Sequence, residues 1–343
     1  MSEHPLVQLT LWRFREFIRE PEAVFWVFLF PLLLAMALGI AFRNTAPKPV
    51  RVGVVAGVGA EALARDLSSD PDLLATVQSE DSARLALRTG EVAMLVRPGS
   101  PITLQYDSTR EESRLARALT ERALQRAAGQ PPAVPVQEIR VAERGSRYID
   151  FVLPGLLGMN IMGTSMWGIG FGIAQMRQKK LLKRLLASPM RKRDFLLAQI
   201  LFRLMFLTLE VAVLLGFGVL LFRVPVRGSI GTVLLVAVMG AFAFAALGLL
   251  TASRARTIEG VSGLMNLVMM PMWILSGVFF SYALFPDVVQ PVIRALPLTA
   301  VNDALRAVML EGAGVAGILG PLTILAAWTL VAFLAALRIF RWQ

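Results

Sequence analysis

The stretch FVLPGLLGMNIMGTSMWGIGFGIAQM, Phe151–Met176, runs for 26 residues without a charged side chain. A helix needs about 20 predominantly apolar residues to cross the hydrocarbon core of a bilayer, which is about 30 Å thick. Four other uncharged runs are long enough: Ala23–Phe42, Gly228–Ser253, Gly260–Pro286 and Gly312–Leu337. A sixth segment, Phe195–Phe222, also qualifies, although it contains Arg203 and Glu210. The sequence therefore predicts a polytopic α-helical membrane protein with six transmembrane helices.

The composition of the whole chain excludes several kinds of chemistry. Of 343 residues, 56% are hydrophobic and 17% are charged, whereas soluble domains are about 45–50% apolar and about 25% charged. The absence of Cys excludes disulfides and thiolate metal sites. The single histidine, His4, excludes metal sites built from several histidines. We also find no GxxxxGK[ST] phosphate loop in this sequence, so it is predicted not to be an enzyme.

The distribution of Lys and Arg predicts how the chain is oriented. The 35 basic residues exceed the 24 acidic ones, giving a formal charge of +11. Fifteen basic residues fall in the short segments on one side of the predicted membrane and four on the other. Cytoplasmic loops carry such an excess, so both termini are predicted to be cytoplasmic. This explanation of the charge favours a lipid bilayer as the partner and no nucleic acid.

Four regions follow from this topology. Residues 1–22 are predicted to form a cytoplasmic amphipathic helix, and residues 23–42 the first transmembrane helix. Residues 43–148 form a small α/β extracytoplasmic domain inserted between the first and second spans. Residues 149–343 form a five-helix transmembrane region, with a cytoplasmic coupling segment at 176–195 and short external helices at 286–311.

The pattern within residues 43–148 alternates between short β-rich and helical segments. Strands are predicted at Arg51–Ala56, Val92–Val96 and Ile102–Tyr106, with a final strand-like segment at Val136–Val141. Helices are predicted near Glu61–Leu67 and at Glu80–Thr89, where Gly90 ends the second one. Thr109–Glu112 fits a capping box that opens a third helix extending to about Ala128.

The most informative segment is MRQKKLLKRLLASPMRKRDFLLAQI, Met176–Ile200. Its leucines form one apolar stripe at helical spacing, and its basic residues line the other side. One interpretation is an interfacial helix held by anionic lipid, and the other is a helix that docks into another protein. The candidate residues for such docking are Lys180, Leu181, Leu182, Leu185, Leu186, Ser188, Pro189 and Arg191.

The second and fifth spans are rich in polarizable and amphipathic side chains, which suit adaptable binding surfaces. The alternative is ordinary packing through small residues such as Gly158 and Gly163. In the third span, Arg203 and Glu210 are candidate intramembrane polar residues, with Arg203 expected to extend to the cytoplasmic interface. The candidate binding residues in the two spans are Asn160, Met162, Trp167, Met265, Asn266, Met269, Met270 and Trp273.

The ordered combination of these features resembles the permease subunits of type 2 ABC exporters, in the variety with an extracytoplasmic domain between the first two spans. The resemblance rests on the N-terminal amphipathic helix, the inserted domain, LLASPMRKRDFLLAQ, and the segments Leu275–Pro286 and Leu296–Gly312. The chain departs from the family in two places. A basic Lys180-Leu-Leu-Lys-Arg184 stands where an acidic residue is common, and Leu296-Pro297-Leu298 stands where Asn-Pro-Leu is usual.

The resemblance implies an exporter subunit of the bacterial inner membrane. It also implies that the docking residues between Lys180 and Arg191 are ATPase-coupling residues and that the second and fifth spans carry the candidate substrate path. A second permease, identical or related, and separate ATP-binding subunits would be its partners, with ATP and Mg²⁺ bound by those subunits and no cofactor on this chain. The substrate would be a hydrophobic or amphipathic compound such as a drug, lipid or natural product. Two alternatives remain open: a membrane-anchored sensor or envelope-assembly scaffold that uses the external domain, and a membrane enzyme acting on lipid.

Overall fold

The chain consists of two compact units. The membrane unit comprises Met1–Arg43 and Ala142–Gln343, and the inserted unit comprises Asn44–Val141. The computed structural model describes residues 14–15, 17–42, 49–129, 145, 147–178, 192–254 and 257–339, with the backbone alone for 176–178 and 192–200.

The membrane unit begins with helix α1, Pro21–Ala41, which is apolar and long enough to cross a membrane. Pro21 stands in its first turn, where the missing N–H of proline costs nothing. Residues Phe25–Leu29 widen into a π-helical turn within it.

In the described residues, the inserted unit forms a four-stranded sheet with helices on both faces. Its strands are β1 (Val50–Val55), β2 (Leu73–Gln78), β3 (Met94–Arg97) and β4 (Thr103–Tyr106). The spatial order is β2-β1-β3-β4, with β1 parallel to β2 and β3, and β4 antiparallel to β3. Helices α2 (Ala60–Ser68) and α4 (Glu111–Ala127) share one hydrophobic core with the sheet, and α3 (Glu80–Thr89) contributes to a second.

Sequence and structure differ at two points of this unit. Strand β2 was not predicted, because LLATVQ lacks a clear alternation and becomes a strand through parallel pairing with β1. The capping box at Thr109 was wrong: its hydroxyl donates to Asp107 at 2.7 Å, and α4 begins at Glu111 without a side-chain cap. Gly90 ends α3 in the left-handed conformation, as predicted. The predicted strand at Val136–Val141 lies outside the described residues.

Five further helices of the membrane unit can cross a membrane. They are α5 (Tyr148–Gln178), α6 (Lys192–Phe222), α7 (Ile230–Arg254) and α8 (Ile258–Leu275), followed after two short helices by α11 (Leu319–Ile339). The two short helices are α9 (Gln290–Arg294) and α10 (Pro297–Arg306). With α1 there are six candidate spans in the described residues, which confirms a polytopic helical membrane protein.

Helix α5 lies at the centre of this arrangement. In its most apolar stretch 78% of residues are buried, against 17% for α1 and for the last span. It packs against α1, α6, α7, α8 and α10. Because it has almost no free surface, its small residues decide how closely the neighbouring helices approach.

One predicted boundary was wrong, at the end of the fifth span. The uncharged run Gly260–Pro286 is not one helix: α8 ends at Leu275, and Gly277 turns the backbone with a φ of +69°. Helix α10 lies largely inside the membrane unit, because eight of its ten residues are buried. It packs against α5, α7 and α11.

Candidate functional site

The face that α5 presents to α8 is built from glycines. A Cβ atom added at Gly163 would lie 4.0 Å from Cε of Met269, and one added at Gly155 would lie 2.7 Å from the carbonyl oxygen of Val278. The numbers fall along α5 as they rise along the partner segment, so the two segments run antiparallel. Glycine allows the backbones to approach closely, and the methionine side chains fill the space that remains.

The eight candidate path residues divide into three groups in the structure. Asn160, Met162, Met265 and Met269 are buried, whereas Trp167 and Trp273 are half-buried. Asn266 and Met270 lie on the exposed face of α8. Asn266 and Met269 are three residues apart, which leaves an angle of about 60° between them around the helix, and the exposed side chain is thereby separated from the buried one.

Two buried hydrogen-bond donors lie at the same level on these facing helices. Asn160 precedes Gly163 by three residues, and Trp273 follows Met269 by four residues, so each lies about 5 Å further toward the same end. Neither Nδ2 of Asn160 nor Nε1 of Trp273 has a partner among the described residues. Buried donors are nearly always paired in proteins, which makes this level a candidate contact for a hydrogen-bond acceptor.

The third span carries a buried ion pair rather than an arginine that extends to the interface. Nη1 of Arg203 lies 3.3 Å from a Glu210 carboxylate oxygen, and the Glu210 side chain is fully buried. Nη2 of Arg203 donates to the hydroxyls of Thr164 at 2.9 Å and Ser165 at 2.6 Å. Thr164 also donates to Glu210 at 3.0 Å. The expected extension of Arg203 to the interface was wrong, because these partners satisfy its charge within the helices.

A second polar cluster lies at the end of the membrane unit where α5 begins and α8 ends. Nε of Arg306 donates to the carbonyl of Phe151 at 3.3 Å, and Nη2 donates to the carbonyl of Gly277. The guanidinium carbon lies 3.8 Å from the centre of the Phe151 ring, which adds a cation–π contact. Nδ2 of Asn302 donates to the carbonyl of Ser276 at 2.9 Å.

The same cluster continues to the surface through Asp303. The hydroxyl of Tyr282 donates to Asp303 at 3.1 Å, and Nη1 of Arg306 lies 3.8 Å from the same carboxylate. We call the contacts that Asn302, Asp303 and Arg306 make with residues 276–282 the α10 clasp. Burial lowers the pKa of Arg306 to about 10 and raises the pKa of Asp303, so the arginine remains charged at neutral pH.

Sequence reasoning missed the α10 clasp, although a signal for it was present. Asn302, Asp303 and Arg306 stand at i, i+1 and i+4 in an otherwise apolar segment, a spacing that makes Arg306 the helical neighbour of both other residues. Thr164 and Ser165 carried no such signal, because hydroxyl residues are common in membrane helices. All eight candidate ATPase-coupling residues, from Lys180 to Arg191, lie outside the described residues.

The fold defines a multi-pass helical membrane protein, and comparison with known proteins identifies its class. The family model for ABC-2 family transporter proteins matches residues 22–338 of this chain. The chain therefore belongs to the ABC-2 transporter family and corresponds to the membrane (permease) part of such transporters.

One curated relative supports the same assignment. The chain is 28% identical over 169 residues to ABC transporter G family member 20 of Dictyostelium discoideum. The match covers 49% of this chain and 23% of that protein, so the chain corresponds to about a quarter of its relative.

Proposed function

We propose that this chain is the membrane subunit of an ATP-driven exporter and that it encloses the substrate path together with a second permease. The second permease would be an identical copy or a relative. Separate ATP-binding subunits would bind ATP and Mg²⁺ and drive the change of conformation. The substrate would be a hydrophobic or amphipathic compound, such as a drug, lipid or natural product.

The observation that carries the path is the pairing of α5 with α8. Met265 and Met269 fill the contact between these helices, and two buried donors without a described partner lie one turn further along. Ligand sites are mainly apolar with a few polar groups that fix orientation. The opposite face of α8 exposes Leu267, Met270 and Ile274, an apolar surface that a second permease would cover.

The coupling to ATP hydrolysis is assigned to the segment 176–195. We expect Leu185→Asp combined with Leu186→Asp to abolish transport of a lipophilic dye and stimulated ATPase activity in vesicles containing the complete transporter. The reason is that two charges interrupt the apolar stripe that would dock into the ATPase. Lys183→Gln, on the basic side of the same segment, is the control. Unchanged transport and co-purification in the aspartate variant would overturn the assignment.

The proposed topology places both termini in the cytoplasm of a bacterium and the inserted unit outside the inner membrane. Since the chain has no Cys, single cysteines can report sidedness directly. Ser108→Cys should react with an impermeant thiol reagent from outside, and Ser188→Cys only from inside. Reaction of both residues from the same side would contradict the six-span topology.

A sensor or assembly scaffold remains the second candidate, and it makes a different prediction. Such a protein would bind its partner through the inserted unit without ATP-dependent transport. Dye transport that requires a functional ATPase partner would exclude it.

A further inference from the structure

A cleft of about 450 Å³ opens on the inserted unit between the end of strand β4 and the first half of helix α4. One wall consists of Tyr106, at the end of β4, and Ser108. The other wall is a single stripe of α4 at positions i, i+3, i+4 and i+7, which a helix brings to one side. These four residues are Arg114, Arg117, Ala118 and Glu121. Small-molecule sites have volumes of about 300–1,000 Å³, so the cleft is large enough for a small solute.

Arg117, in the middle of the stripe, is held by both walls. Its Nε donates to Glu121 at 2.8 Å, and its Nη1 donates to the hydroxyl oxygen of Tyr106 at 2.8 Å. The guanidinium carbon lies 5.6 Å from the centre of the Tyr106 ring, which adds a cation–π contact. Because Tyr106 accepts this hydrogen bond, its own hydroxyl hydrogen remains available to donate. The centre of the cleft is therefore organised before any ligand binds.

Arg114, one helical turn before Arg117, has no such partners. Its side chain is exposed, and its guanidinium makes no hydrogen bond or ion pair with the described residues. The hydroxyl of Ser108 is likewise without a partner in the described part of the chain. The neighbouring Asp107 carboxylate accepts from the backbone N–H and the hydroxyl of Thr109 at 2.9 and 2.7 Å. The cleft therefore offers several unused donors and one arginine whose charge is not matched.

These features define the chemistry of a ligand. A guanidinium presents its N–H groups as a planar fork that matches the two oxygens of a carboxylate. The wall already holds one carboxylate, since Glu121 pairs with Arg117, and Arg114 presents the same group without an occupant among the described residues. Because the charges of Arg117 and Glu121 cancel, one net positive charge remains among the lining residues. A single carboxylate would neutralise it.

We propose that this cleft binds a small organic carboxylate. Arg114 would bind the carboxylate, and the hydroxyls of Tyr106 and Ser108 would donate to oxygen atoms next to it. Arg117 is a positioning residue, since it holds the Tyr106 hydroxyl at the cleft. The site lies wholly within the inserted unit and does not depend on the proposed transport function.

The test compares the binding of three sugars to the full chain in detergent by saturation-transfer difference NMR, which detects weak binding through the signals of the ligand. Glucuronate carries a carboxylate, glucose has the same ring without one, and glucose 6-phosphate carries a phosphate. Glucuronate should bind at least about tenfold more tightly than glucose. Equal binding of glucuronate and glucose overturns the proposal. Tighter binding of glucose 6-phosphate than of glucuronate also overturns it, because the cleft would then select phosphate.

Substitutions show whether the binding occurs in the cleft. Arg114→Gln should weaken glucuronate binding at least about tenfold, with an unchanged melting temperature because the side chain has no partner among the described residues. Arg88→Gln is the matched control, since Arg88 is an exposed arginine on α3, which contributes to the other core of the unit. It should leave the affinity unchanged. Equal losses in the two variants would indicate attraction to the general surface charge and would overturn the proposal.

A variant of the opposite wall distinguishes a built site from a single exposed charge. Tyr106→Phe removes one hydroxyl donor while Arg117 keeps its bond to Glu121. It should weaken glucuronate binding about threefold, as expected for one neutral hydrogen bond. Arg114→Lys keeps the charge but not the planar fork, and it should recover only part of the affinity lost in Arg114→Gln. Parent affinity in both variants would mean that charge alone attracts the ligand, and would contradict the assigned site.

Discussion

The two arginine clusters of the membrane unit satisfy the charge of a guanidinium inside the protein with different partners. Arg203 is neutralised by the Glu210 carboxylate two turns along its own helix, and hydroxyls of α5 complete its bonds. Arg306 instead binds two backbone carbonyls and an aromatic ring, and its nearest carboxylate, Asp303, lies 3.8 Å away. An ion pair moves with its helix, whereas bonds to carbonyls of two other segments last only while those segments stay in place. The first cluster is therefore centred on one helix, whereas the second depends on how three segments pack.

The largest effect on stability is expected when one partner of the Arg203–Glu210 ion pair is removed. Glu210→Leu leaves the Arg203 charge without its carboxylate, which should cost about 3–5 kcal/mol of stability. Arg203→Met combined with Glu210→Leu should recover much of that loss, because no charge then remains. Thermal unfolding of the purified variants measures both. If the double variant is no more stable than Glu210→Leu, the unpaired Arg203 charge is not the cause of the lost stability, and the prediction is contradicted.

A smaller effect is expected where α5 meets the α10 clasp. Gly158→Ala adds a methyl group that collides with Asn302, and overpacking of this kind costs about 1–3 kcal/mol. Gly168→Ala in the same helix meets nothing within 4 Å and should be neutral or slightly stabilising. The difference in melting temperature between the two alanine variants checks the closeness of the junction, and equal melting temperatures would count against it.

A still smaller effect is expected at the surface edge of the clasp. Tyr282→Phe removes one hydrogen bond to Asp303, which should cost about 0.5–1.5 kcal/mol. Thermal unfolding of the purified variant measures the loss, and an unchanged melting temperature would contradict a stabilising Tyr282–Asp303 hydrogen bond.

The smallest effect concerns pH. Burial raises the pKa of Asp303 in the folded protein, so folding favours its protonated form. Its contribution to stability is complete below the unfolded pKa of about 3.9 and is lost as the pH rises through the raised folded pKa. Asp303→Asn should therefore gain stability relative to the parent chain as the pH rises from 4 toward neutrality. Melting temperatures of both proteins over that range measure it, and a constant difference would contradict the prediction.

The inserted unit shows which secondary-structure elements can be predicted from local sequence patterns. Three of its four strands and all three helices follow from alternation, helical spacing and Gly90. Strand β2 does not, because its pairing with β1 comes from a crossover and not from its own six residues. Its place outside the membrane remains part of the proposal.

The sequence alone determined the number of spans and the class of protein, because hydrophobic length is a local property that any stretch of chain either has or lacks. The same reasoning selected Asn160, Met269 and Glu210 as residues of interest. Only the tertiary structure decided their partners: it buried Met269, exposed Asn266 and paired Glu210 with Arg203. It also joined Arg306 to the carbonyl of Phe151, 155 residues away. Such contacts depend on how separate helices pack, and a pattern read along the chain does not contain that information.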